Sequence, residues 1–171
     1  TENRTPRIKD FAPLAQLDDI VFGSWDLFAD NALESAQHAE VLESKHIDPI
    51  KDELAAIKPM TAAFYPEYVK RLHGTHVKSG ATKADIVEQL RADIRNFIKT
   101  NGADRAVCVW CGSTEIFLEQ TEVHASIKSF EKGLLENDPN IPTSMLYAWA
   151  CLMEGVPYAN GAPNLTVDVP C

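Results

Sequence analysis

Cys108 and Cys111 are the first groups in this 171-residue sequence whose types and spacing could do chemistry. A Cys-x-x-Cys pair serves zinc binding or thiol–disulfide exchange. A structural zinc site takes four ligands, and no second pair stands elsewhere in the chain. Exchange motifs place their thiols at a helix N-terminus, which acidifies them. Here the pair straddles the end of an apolar run, Ala106-Val107-Cys108-Val109-Trp110, so its members point to opposite faces of a strand. The spacing predicts a buried Cys108 and a loop-facing Cys111 rather than a redox or metal centre.

The histidines His38, His46, His73, His76 and His124 offer no better set. His73-x-x-His76 lies in a polar stretch and reads as solvated. His38 and His46 stand near Glu40, Glu43 and Asp48 without three convergent ligands. No G-x-S-x-G or H-E-x-x-H motif is present. Most lysines read as surface charges, and Lys70-Arg71 as a solvated helix end in preference to an anion contact. No catalytic residue and no metal ligand is assigned.

Two other places could hold a ligand. Asp26 follows an apolar stretch, Ile20-Val21-Phe22, at what would be a strand's carboxyl end. An acid there either forms a turn or meets ribose hydroxyls. Cys111-Gly112-Ser113-Thr114 follows the apolar run and offers hydroxyls, N–H groups and a close backbone approach. In open α/β sheets, ligands bind outside the carboxyl ends of strands.

The elements around these residues alternate. Residues 1–16, with Pro6 and Pro13, read as an entering loop. Residues 20–22 read as a strand and residues 31–44 as a helix capped by Asp30. Asp48-Pro49 opens a second helix that Lys58-Pro59 stops. A short helix is expected up to Leu72, then a polar, mobile loop over residues 73–81. Thr82-x-x-Asp85 resembles a capping box. It precedes a helix with Ile86, Leu90, Ile94, Phe97 and Ile98 at a 3.6-residue period, ended by Asn101-Gly102. Residues 106–110 read as a parallel strand buried on both faces. Helices follow at 126–136 and 143–154, the second apolar nearly all round, then a short strand at Tyr158-Ala159. Asn160-Gly161-Ala162-Pro163-Asn164 is a turn-rich loop.

Bulk numbers narrow the classes. The chain is 45% hydrophobic, enough for a core, and 24% charged. Its net charge of −9, from 16 basic and 25 acidic side chains, disfavours a general nucleic-acid or anionic-membrane surface. No signal peptide is recognised, and the longest apolar run, 145–153, is too short to span a bilayer. Scattered cysteines in apolar runs suit a reducing, cytoplasmic setting. None of the eight glycines is spaced as G-x-G-x-x-G. Few strands, no glycine loop and a first residue Thr1 rather than Met suggest an internal segment of a larger enzyme.

Five stretches in order resemble the inositol-3-phosphate synthase (myo-inositol-1-phosphate synthase) family. They are Asp18-Asp19-Ile20-Val21-Phe22-Gly23-Ser24-Trp25-Asp26, Ile57-Lys58-Pro59 with Phe64-Tyr65-Pro66, Arg91-x-Asp93-Ile94-x-Asn96-Phe97, Val109-Trp110-Cys111-Gly112-Ser113-Thr114-Glu115, and the run from Leu152 to Asn164. The resemblance implies an α/β fold, with residues 1–171 forming part of a Rossmann-like NAD-binding domain that lacks the first glycine-loop βα unit. It implies an NAD-dependent isomerase converting glucose 6-phosphate to 1D-myo-inositol 3-phosphate by oxidation, enolisation, aldol closure and reduction. It also implies a cytoplasmic homotetramer. By this resemblance the cofactor-binding positions are Asp26, Ala62, Cys111, Gly112, Ser113, Thr114, Gly161 and Ala162. Relatives often carry Ser at 62, Thr-Ala-Asn-Thr at 111–114 and Gly-Ser at 161–162, so Ala62, Cys111 and Ala162 lack a hydroxyl. Backbone contacts remain available there. The glycine loop is expected before Thr1 and the catalytic lysines after Cys171, which makes the isolated chain inactive. The alternatives are a non-catalytic binding or scaffold module on the same fold and a thiol redox protein.

Overall fold

The computed structural model describes residues 7–171; residues 1–6, including Pro6 of the expected entering loop, lie outside the described residues. Local chemistry sets most boundaries. Thr82 caps α4 (Lys83–Asn101) by accepting from Asp85 N–H, while the Asp85 side chain reaches back to Thr82 N–H. Gly102 ends that helix at φ 60°, a left-handed cap. The inner face of α4 carries Ile86, Val87, Leu90 and Ile94, all buried. It packs on α5 (Ile127–Glu136) and α6 (Thr143–Met153), which bring Phe130, Leu134, Leu146 and Cys151. Each such apolar side chain contributes roughly 1.5–3 kcal/mol when fully buried.

The other elements are β1 (Trp25–Asp26), α1 (Ala32–Ala39), α2 (Ser44–Ile47), α3 (Lys51–Ala56), β2 (Met60–Thr61), β3 (Cys108–Trp110) and β4 (Tyr158–Asn160). β1 pairs in parallel with β2, and β3 in parallel with β4. The described residues therefore form an α/β fold with two small parallel sheets. The register sets Trp25 beside Met60 and Trp110 beside Asn160.

Several expectations are corrected. Residues 20–22 are not a strand and are exposed. The ladder begins with Met60 N–H donating to Ser24 O, and Pro59 before it has no N–H to extend the pairing. The strand at 106–110 shrinks to residues 108–110, and it is not buried on both faces. Val107 and Val109 are 68% and 60% exposed, because no described element covers that side. Asn31, not Asp30, caps α1, which stops at Glu40 with φ 52°. The second helix starts at Ser44, ahead of Asp48-Pro49. Residues 66–71 form turns and a bend instead of a helix, with Arg71 at φ 65°. The segment 73–81 is tethered rather than loose: Thr75 and His76 N–H donate to Leu27 O, and Lys78 N–H to Ala62 O.

Candidate functional site

The segments that follow β1, β2 and β3 open onto one cleft of about 550 Å³, within the usual range of small-molecule pockets. Its aromatic floor is built around Tyr147 of α6. Trp25 meets Tyr147 edge-on with centroids 5.2 Å apart, and Trp110 leans on it at 5.3 Å. The Tyr147 hydroxyl accepts from Ala63 N–H at 2.8 Å. One side chain of α6 thus ties both small sheets together. Burial pushes the Tyr147 phenol well above its ordinary pKa.

Five of the eight positions expected to meet a cofactor line this cleft: Asp26, Ala62, Cys111, Gly112 and Ser113. Asp26 is exposed and spends Oδ1 on Phe28 N–H at 3.0 Å, an Asx turn. Turn formation and ligand contact are compatible there, since Oδ2 stays available. Ala62 is only 4% exposed. Its N–H donates to His76 O and its O accepts from Lys78 N–H, so it offers a ligand apolar surface and no backbone contact. Cys111, Gly112 and Ser113 are exposed along the rim.

Thr114, Gly161 and Ala162 lie outside the cleft lining. Gly161 N–H donates to Trp110 O at 2.9 Å, and Ala162 N–H donates to Asn160 Oδ1 at 3.1 Å. Both backbone donors are committed, the first tying the end of β4 to β3 and the second closing a local turn after β4.

Two residues of the cleft lining, Glu115 and Cys151, carry no site role in the sequence reading. Glu115 is buried and accepts from Ser144 N–H at 3.0 Å and Ser144 Oγ at 2.5 Å, at the start of α6. Burial raises its carboxyl pKa, while the helix-end donors act against that rise. Lys83 is also buried rather than a surface charge: Nζ donates to Tyr68 Oη, Asp138 O and Ile141 O. Cys108 and Cys151 both line the cleft and are free thiols, as are Cys111 and Cys171. A polar residue just past an apolar strand was the available signal for Glu115. Its partner lies 29 residues on and was not legible.

Two observations fit a dinucleotide. The Trp110 indole N–H, in the cleft wall, is buried without a partner. Gly112 lies on that ring so closely that an added Cβ would stand 2.9 Å from Cζ2, so a larger residue there would push the loop or the indole into the cleft. Among the described residues no cluster of His, Cys, Asp and Glu could hold a metal, and no helix is long and apolar enough to cross a membrane.

A family model of an NAD-binding domain, described as myo-inositol-1-phosphate synthase, matches residues 1–171. Inositol-3-phosphate synthase 1 of Bacteroides thetaiotaomicron is 50% identical over 169 residues, 98% of this chain and 39% of that protein. Inositol-3-phosphate synthase of Trypanosoma brucei brucei is 33% identical over 164 residues, 94% of this chain and 31% of that protein. The crystal structure of inositol-3-phosphate synthase from Caenorhabditis elegans superposes with a TM-score of 0.88 at 25% identity, over 95% of this chain and 32% of that one. The chain thus spans less than two fifths of the length of these relatives.

Proposed function

The chain belongs to the myo-inositol-1-phosphate synthase family, and from that premise we propose that it forms one wall of the cofactor site in an enzyme converting glucose 6-phosphate to 1D-myo-inositol 3-phosphate. NAD is the cofactor of this domain family. Held in this site, it would supply hydride acceptance from the sugar and the later return of that hydride. The observation that carries the reading is the convergence of Asp26, Ala62 and the loop 111–113 on one cleft.

The chain's own residues bind and orient. Asp26 Oδ2 would accept from a ribose hydroxyl. Gly112 and Ser113 let the dinucleotide approach the end of β3. Ala62, Ala63 and the Trp25–Tyr147–Trp110 floor exclude water from the cofactor's inner face. We assign the proton transfers of enolisation and ring closure to the share of the relatives that this chain does not match. The finer reading of residues 1–171 is one partial Rossmann-like domain, supported by the two parallel strand pairs separated by helices. By family resemblance the protein is a homotetramer, and its four free thiols suit the cytosol.

Calorimetric titration of the complete protein with NAD, beside an assay of glucose 6-phosphate turnover, tests this. We expect binding and turnover, with Asp26→Asn weakening NAD about tenfold, the value of one charge-assisted hydrogen bond. Binding without turnover would favour a non-catalytic module. Absence of NAD binding would overturn the reading.

A further inference from the structure

His76 reads from the sequence as a solvated loop residue, yet it is half-buried across the carboxyl ends of β1 and β2. Its ring spans the pair. Nδ1 lies 3.1 Å from Asp26 O, and Nε2 lies 3.2 Å from Thr61 Oγ1. Asp26 and Thr61 face each other in the strand register. A carbonyl oxygen only accepts, so Nδ1 carries the proton and donates to Asp26 O. In the neutral ring Nε2 then accepts from the Thr61 hydroxyl. The main chain of the same residue adds two bonds. His76 N–H donates to Leu27 O at 2.9 Å, and His76 O accepts from Ala62 N–H at 3.0 Å. Gly74 permits this approach, since a Cβ there would stand 2.6 Å from Leu27 O.

We propose that His76 is a positioning residue for the cofactor, its imidazole holding Asp26 at the cleft edge by a clamp across the two strand ends. This role rests on the cofactor reading above. β1 is two residues long, too short to fix its own end. The Asp26 carboxylate is oriented by the Asx turn to Phe28 N–H. That turn keeps its shape only while the backbone of Asp26 and Leu27 stays in place, and the His76 segment holds both carbonyls. Asp26 O takes the ring N–H, and Leu27 O takes the N–H groups of Thr75 and His76. Replacing the ring spares the main-chain bonds and releases only Asp26 O and Thr61 Oγ1. The carboxylate then loses its fixed aim, and binding must first order it. His76 is not among the residues lining the cleft, so it acts through Asp26 and not on the ligand.

The test is calorimetric titration of the complete protein and its variants with NAD, beside thermal unfolding of each. An Asn amide nitrogen falls near the place of Nδ1, and a Gln amide near that of Nε2. His76→Gln is expected to weaken NAD about fivefold, less than Asp26→Asn does, because it gives up the bond to Asp26 O. His76→Asn restores that donor and should bind NAD within about twofold of the native protein. On the Asp26→Asn background His76→Gln is expected to add less than about twofold, since the group it positions is already weakened. His76→Ala takes the place of His76→Gln should that variant fold poorly. Losses that multiply in the double variant overturn the positioning role. So does His76→Asn binding as weakly as His76→Gln, or His76→Gln binding as tightly as the native protein. Native protein that fails to bind NAD would instead remove the cofactor reading, and this role with it.

Discussion

Trp25 donates its indole N–H to Asp93 Oδ2 at 2.8 Å, fastening the end of β1 to the middle of α4. The same oxygen takes Lys78 Nζ at 2.7 Å, and the Lys78 side chain is only 6% exposed. Removing Asp93 strands a buried ammonium and a part-buried indole N–H together. Asp93→Ala is expected to cost about 3 kcal/mol, since breaking a buried pair leaves an uncompensated charge. Trp25→Phe keeps the ion pair and should cost about 1 kcal/mol. Urea unfolding of both variants checks this. Equal losses would show that the ion pair carries little.

Gly161 is fixed by a backbone neighbour. A Cβ built there would stand 2.6 Å from Trp110 O, and no rotamer change can relieve that contact. Gly161→Ala must part the ends of β3 and β4 and lose the Gly161 N–H bond to Trp110 O. A loss of about 2 kcal/mol is expected, in the range of overpacking changes. Thermal unfolding measures it, and an unchanged midpoint would show that the strand ends move freely.

Legibility followed the range of the interactions. The Thr82–Asp85 box and Gly102 were readable because each cap is made within three residues. Residues 20–22 misled because the limit on β1 is Pro59, on the partner strand. Val107 and Val109 misled because an apolar run does not say whether an element covers each face. The cluster around Cys111-Gly112-Ser113 was readable from its place after a strand. The burial of Lys83 was not, since its acceptors Asp138 O and Ile141 O arrive from 55 and 58 residues away.

Lys83 yields a pH prediction. Its residue is 2% exposed, and the ammonium lies against the faces of Tyr65 and Tyr68. Burial pushes its pKa down to about 8 from the ordinary 10.5. Below pH 8 the folded and unfolded chains both hold the proton, so this group adds no slope. From about 8 to 10.5 the unfolded chain holds more protons, and stability rises with pH by up to about 3 kcal/mol. Urea titrations across that window should show the rise in the native protein and its loss in Lys83→Met. A flat native profile would mean that the three oxygen acceptors hold the proton against burial.

Glu115 joins the loop after β3 to the core. The N-cap of α6 is Pro142, which supplies no side-chain cap, so the helix start depends on the Glu115 carboxylate at Ser144 N–H and Oγ. Ser144 Oγ also meets Thr166 Oγ1 at 2.9 Å, and Asn164 Nδ2 donates to Glu115 O. Glu115→Ala leaves the buried Ser144 N–H unpaired and is expected to cost about 2 kcal/mol, while Ser144 Oγ keeps Thr166 Oγ1. Glu115→Gln keeps one carbonyl acceptor and should cost about 1 kcal/mol. Because burial raises the folded pKa above the ordinary 4.5, the native state binds more protons between those two values. Stability from this group therefore falls as pH rises through that window, and Glu115→Gln removes the slope. The carboxylate also anchors the residue directly after Thr114, so Glu115→Ala should loosen the loop from Cys111 to Thr114 and weaken NAD more than Glu115→Gln does. Parallel urea and NAD titrations of the two variants separate the roles: a stability loss with unchanged affinity would confine Glu115 to capping α6.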